Sequence, residues 1–371
     1  MENRKKIAIV AIIILLMLSV VGFYFFMQYK TYEKAEFTTK YENHSKDNAG
    51  YAQCLNGILR YGRDGVALFS EDGTELWNQS CQMKNPVVEI CGESVAIGDK
   101  GGTDILVFQK KGLKGEIKTP KTIEKFAVSS QGIVSAILKD EEAPLVMCYD
   151  AAGTKLVEHT VAVKKMGYPI EVAISPDGNT LILSYLHTKD GGVVSNVVYY
   201  YFGDDYTQKK DYQVCQKEYS NTIIPEMAFM KNEKSVLIGD NALIFYDGLK
   251  APKEDVAIEV QTKIMGVAYN EEYIALVVQN NNSGNYEMKV YNTTGKMLCS
   301  VEVDKEYAGM KVIGKQILLY DGQECSIYLT NGVHRYQGTM EQRIMELYPK
   351  GNMSKYMVIN ASGFYEVQLV E

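Results

Sequence analysis

Tryptophan, histidine and proline are scarce in this chain, at one, four and eight copies among 371 residues. The histidines, His44, His159, His187 and His334, include no His-x-x-x-His pair, and their spacing points to no metal site. The seven cysteines, Cys54, Cys81, Cys91, Cys148, Cys215, Cys299 and Cys325, are odd in number, irregularly spaced and free of Cys-x-x-Cys. That pattern signals neither a disulfide framework nor a zinc knuckle, while spacing alone leaves a Cys81–Cys91 bridge open. There is no Gly-x-Ser-x-Gly elbow and no Gly-rich phosphate loop ending in Lys-Ser/Thr. Basic excess is missing too: 39 Lys and Arg face 46 Asp and Glu, for a net charge of −7. Nucleic acid is a poor partner for that balance. After residue 27 no apolar stretch has the length and 3.6-residue period of a helix.

One long uncharged run is present, at residues 7–27. At about 1.5 Å per residue it reaches ~31 Å, the thickness of a bilayer's hydrocarbon core. Arg4, Lys5 and Lys6 precede it, Tyr24 suits its far interface, and no small-x-small cleavage site follows. The expectation is an uncleaved transmembrane helix at 7–27, with a cytoplasmic tail at 1–6 and the bulk of the chain outside the cell membrane. Residues 28–50 are polar and charged and read as a juxtamembrane stalk. Unpaired cysteines outside a cell fit a bacterium that does not rely on oxidative folding.

From Tyr51 to Glu371 one phrase recurs: an apolar strand with an aromatic, a Gly-containing turn, then another strand. Val66-Ala67-Leu68-Phe69 turns at Asp72-Gly73 into Glu75-Leu76-Trp77, and Val146-Met147-Cys148-Tyr149 turns at Gly153. Copies follow at roughly the 40-residue period of a four-stranded propeller blade. Six complete quartets run from Val87 to Tyr336. Three strands remain at the start (58–61, 66–69, 75–77) and three at the end (344–347, 357–359, 364–369). The fold class is therefore all-β, a β-propeller over 51–371. Eight blades is the expected count, one commonly being built from both termini, with seven the alternative if the N-terminal strands pair differently.

Asp64-Gly65-Val66 and Asp72-Gly73-Thr74-Glu75-Leu76-Trp77 resemble the repeat of quinoprotein-like propellers. Ile174-Ser175-Pro176-Asp177-Gly178 resembles the hairpin of WD-repeat-like and TolB-like propellers. With Asn85-Pro86, Gly167-Tyr168-Pro169 and Ile223-Ile224-Pro225-Glu226, the chain resembles a bacterial single-span family catalogued only as a domain of unknown function. The resemblance covers about residue 50 to the C-terminus and implies a fold but no activity. A quinone-dependent propeller would carry a docking tryptophan in most blades; Trp77 alone reads instead as packing between blades.

Three smaller features read as framework. Gly98–Asp104 has the make-up of a ligand loop, but a hairpin turn explains it. Glu141-Glu142 and Asp204-Asp205 are adjacent carboxylates of the kind found on solvated loops, and Tyr199-Tyr200-Tyr201 follows from strand propensity. No residue is assigned a catalytic, cofactor-binding or metal-ligating role, and no cofactor is implied. The functional expectation is a non-catalytic binding or scaffolding module for an envelope protein or cell-wall glycan. The alternative is an envelope carbohydrate- or peptide-acting hydrolase or lyase with its site on the blade loops.

Overall fold

The computed structural model describes residues 12–20, 22, 26, 29–42, 49–203, 212–280, 284–351 and 354–371. Eight antiparallel four-stranded sheets follow one another as the blades of a propeller. Blades 1 to 7 occupy residues 50–80, 86–118, 122–160, 168–220, 226–259, 264–303 and 309–339, each with its strands in chain order from the axis outward. Blade 8 takes Glu346–Pro349, Lys355–Asn360 and Gly363–Val370 from the C-terminal part of the chain and its outermost strand, Lys34–Glu42, from the N-terminal part.

Buried apolar side chains form eight clusters, one between each neighbouring pair of blades. Tyr51, Ile58 and Phe69 of blade 1 meet Tyr348, Met357 and Phe364 of blade 8, which closes the ring. The core is thus eight slabs with no common centre, and each blade depends on two neighbours to cover its faces.

Two expectations need correction. Residues 28–50 were read as a stalk, yet Lys34–Glu42 pairs with Gly363–Val370 along its whole length. Its sequence looked like linker because an outermost strand wets one side and alternates charged with apolar residues. Thr38 is an extra residue that bulges out of the ladder. Such a bulge reverses which side chains face which way: Ala35 and Phe37 pack toward blade 7, Tyr41 toward blade 1. Blade 1 is complete in itself, because Gly50–Cys54 supplies an inner strand ahead of the three expected at 58–61, 66–69 and 75–77. The eight blades therefore arise from a three-plus-one closure.

The recurring phrase has a structural meaning. In blades 1 to 7 the ladder between third and fourth strands slips by one residue beside Phe69, Phe108, Tyr149, Tyr200, Tyr246, Tyr291 and Tyr328. Each aromatic stands where the outer strand carries one extra residue, a bulge that increases the twist of the blade's edge. The extra residue is exposed in most blades, as at Leu76 and Leu156. In blade 7 it is Arg335, buried because Tyr32 docks over it with its N–H donating to the Arg335 carbonyl at 2.8 Å. The turn before the bulge is fixed by an Asx contact, as where Asp150 Oδ1 accepts from the N–H groups of Ala152 and Thr154, and Gly153 takes the positive φ that the turn requires.

About half of the apolar run at 7–27 lies outside the described residues. Those described within it, 12–20, 22 and 26, are helical, and Ile12, Leu15, Met17 and Leu18 are exposed. Among the described residues no helix is long and apolar enough to cross a membrane.

Candidate functional site: the charged channel

The eight inner strands surround a central channel. One part, about 470 Å³, is lined from blades 2 to 6, and a second, about 700 Å³, from blades 5 to 8 and blade 1; Glu226 and Tyr269 belong to both. Each inner strand offers it a polar side chain: Gln53, Glu89, Lys125, Glu171, Glu226, Tyr269, Lys311 and Glu346, in blade order. These residues interrupt apolar strands (Val88-Glu89-Ile90, Met310-Lys311-Val312) because alternate side chains of an inner strand face the two neighbouring blades, and beside the axis part of that surface opens on the channel.

The channel has two chemically different sides. On the side of blades 7, 8 and 1, Glu346 gathers donors: the ammonium of Lys311 on one oxygen, Tyr320 OH at 2.9 Å and Tyr348 OH at 3.3 Å. Tyr348 OH also lies 3.0 Å from the Tyr51 carbonyl, and the Lys311 ammonium sits 3.9 Å from the Tyr348 ring centroid. Burial lowers the Lys311 pKa, with Glu346 pulling the other way. Room for the tyrosines comes from glycine: a Cβ on Gly309 would stand 2.4 Å from the Tyr320 ring, and one on Gly50 2.4 Å from that of Tyr61.

On the side of blades 2 to 5, Lys125 pairs with Glu171 at 2.6 Å, and Glu226 accepts a hydrogen bond from Tyr269. Glu89 has no hydrogen bond or ion pair to any described residue. Its carboxyl is pushed up to about 7, first by burial and then by the charge of Glu171, against the pull of Lys125. Burial also raises Glu226. One lysine faces three carboxylates here, so this side is acidic and one of its protons titrates near neutral pH.

The features singled out in the sequence lie elsewhere. Trp77 stacks on Phe108 of the next blade at 5.1 Å between centroids, as expected for blade packing. The loop at 98–104 is a hairpin whose Asp99 accepts from the N–H groups of Lys84 and Asn85 at 2.9 and 2.7 Å. His159 and His187 stand in blades 3 and 4, and His334 stacks on Tyr328 and shares a 2.8 Å hydrogen bond with Ser326. Glu141-Glu142 is on an exposed hairpin, while His44 and Asp204-Asp205 lie outside the described residues. Cys81 and Cys91 are free thiols. Among the described residues no group of three or more His, Cys, Asp or Glu side chains is placed to hold a metal. The channel residues were overlooked because each is a single charge in an apolar strand. The available signal was its recurrence in the first strand of successive quartets.

Eight blades around a charged axial channel define a β-propeller. The chain belongs to a family of unknown function (DUF5711), whose model matches residues 28–369. No curated protein matches it by sequence. Among solved structures it is similar to BamB from Moraxella catarrhalis, at TM-score 0.53 and 12% identity over 91% of this chain and 100% of that one. Saccharomyces cerevisiae Sqt1 is similar at TM-score 0.57 and 11% identity, covering 90% and 99%. The WD40 domain of SCAP from fission yeast is similar at TM-score 0.53 and 10% identity, covering 91% and 98%. At these identities the likeness is one of fold.

Proposed function

We propose that the chain is a single-span membrane protein whose propeller, held outside the cell, is a non-catalytic binding module for another envelope protein. The observation that carries the anchoring is an exposed apolar helical stretch at 12–20, inside an uncharged run of 21 residues, just upstream of the strand that closes the propeller. An exposed helix of that composition is stable in lipid and a liability in water. The binding role is supported by the ring itself, which offers broad faces of hairpins on a rigid frame. The test is carbonate extraction and protease protection of the full chain in its own cells. Retention in the membrane, with the propeller cleaved only from outside, is expected; release by carbonate overturns the anchor. For the binding role, cross-linking in intact cells should give one dominant protein adduct, and the absence of any adduct overturns it.

A hydrolase acting on envelope carbohydrate or peptide is the second reading, and Glu89 favours it. A carboxyl poised near neutral with a second carboxyl group close by is what general acid catalysis requires. Turnover of cell-wall fragments that is lost in Glu89→Gln would establish this reading, and no turnover in the parent chain would dismiss it.

A further inference from the structure

The link between the apolar run and the propeller is too short and too well tied to act as a free tether. The run ends at Met27, and by Lys30 the chain is bound to the propeller. Lys30 Nζ lies 2.8 Å from Glu371, Glu33 N–H donates to the Val370 carbonyl at 3.0 Å, and Tyr32 is buried on blades 7 and 8 with its ring 5.8 Å from the Arg335 guanidinium. Three residues span at most about 11 Å. The blade 7–8 seam therefore lies within the headgroup layer of any bilayer that holds residues 7–27. The seam suits that layer, with Tyr29 exposed and Lys30 and Lys34 beside it.

Strand polarity fixes which part of the seam this is. In an antiparallel blade the first and third hairpins share one end of the sheet, and the second hairpin shares the other with the link to the next blade. Lys34 pairs with Val370, at the end of a third strand, so the chain arrives at the rim of the first-and-third-hairpin face. Blade 4 stands diametrically across the ring from blade 8. Its second and third strands, Thr180–Lys189 and Gly192–Tyr201, run past Leu186, the partner of the inner strand's first residue Tyr168, and turn at the opposite face. Those three further residues carry the blade 4 hairpin about 10 Å past the start of its inner strand.

We propose that the propeller is seated on the lipid headgroups at the blade 7–8 seam. Its first-and-third-hairpin face is turned toward the membrane, and the blade 4 hairpin is its most distant point. This rests on the reading of 7–27 as a span. The seat leaves the second-hairpin face open to partners.

The test uses the full chain in phosphatidylcholine–phosphatidylglycerol liposomes containing a headgroup-labelled acceptor lipid. A donor dye is attached through a clickable non-natural residue replacing either Lys315, in the first hairpin of blade 7, or Asp190, at the tip of the blade 4 hairpin. Energy transfer to the membrane should be greater from 315 than from 190, roughly twofold or more across the width of the ring and the projection. A Gly/Ser insertion of about 12 residues after Tyr29 should bring the two close together, because such a linker is a flexible coil. Equal transfer from both positions in the parent chain, with the protein floating with the liposomes, overturns the seat and leaves the span intact. Failure to float removes the span, and the seat with it.

Discussion

The two sides of the channel are both made from inner strands of the same repeat, yet they treat a carboxylate in opposite ways. Near blade 8, Glu346 is met by an ammonium and two phenols. Near blade 2, Glu89 faces Glu171 and the channel with no hydrogen-bond or ion-pair partner among the described residues. A saturated carboxylate is a fastener, and here it sits in blade 8 itself, the blade that closes the ring. An unsaturated one weakens the fold when charged and is available to a ligand or a proton. The difference teaches where to look for function in a ring that looks uniform from its repeat.

Glu346→Ala should have the largest effect. It strands Lys311, half-buried, without its counter-charge, at a cost of about 2–3 kcal/mol in urea denaturation. A loss no greater than that of an exposed surface substitution would mean that the two sides are alike.

Glu89→Gln should act in the other direction. The folded-state pKa of Glu89 is raised, to about 7, so the unfolded chain ionises first and native stability falls as pH climbs between the two pKa values. The variant should gain about 1–2 kcal/mol over the parent at pH 8 and nothing at pH 4, read from melts at both values. A penalty at pH 8 would show that the carboxylate is paired after all.

Tyr269→Phe removes the donor to Glu226 and should cost about 1 kcal/mol, with the Glu226 midpoint moving up in a carboxyl-detected NMR titration. Lys125→Met should be smallest in stability, within about 0.5 kcal/mol, since the Lys125–Glu171 pair is partly exposed. Its signature is a Glu89 midpoint moved upward by loss of the cation that lowers it. An unmoved midpoint would detach Glu89 from the cluster.

Much of this was legible in the chain. The aromatic before each Gly turn marked seven blades because it sits at a bulge that every one of them repeats, and local chemistry repeats wherever local structure does. Lys34–Glu42 was not legible, since its apolar residues find their partners more than 300 residues away, in Gly363–Val370. Nor was the channel: Glu89, Glu171, Glu226 and Glu346 are far apart in sequence, and which are paired depends on neighbours from other blades.

By itself, then, the sequence determined the strands, the turns, the blade period and the one apolar run, all properties of residues close together along the chain. Only the tertiary structure decided how the ring closes, which charges meet on its axis and where the N-terminal part of the chain joins the propeller. Those depend on contacts between segments whose separation along the chain carries no local signal, and the free energy of a charge is set by what surrounds it in space.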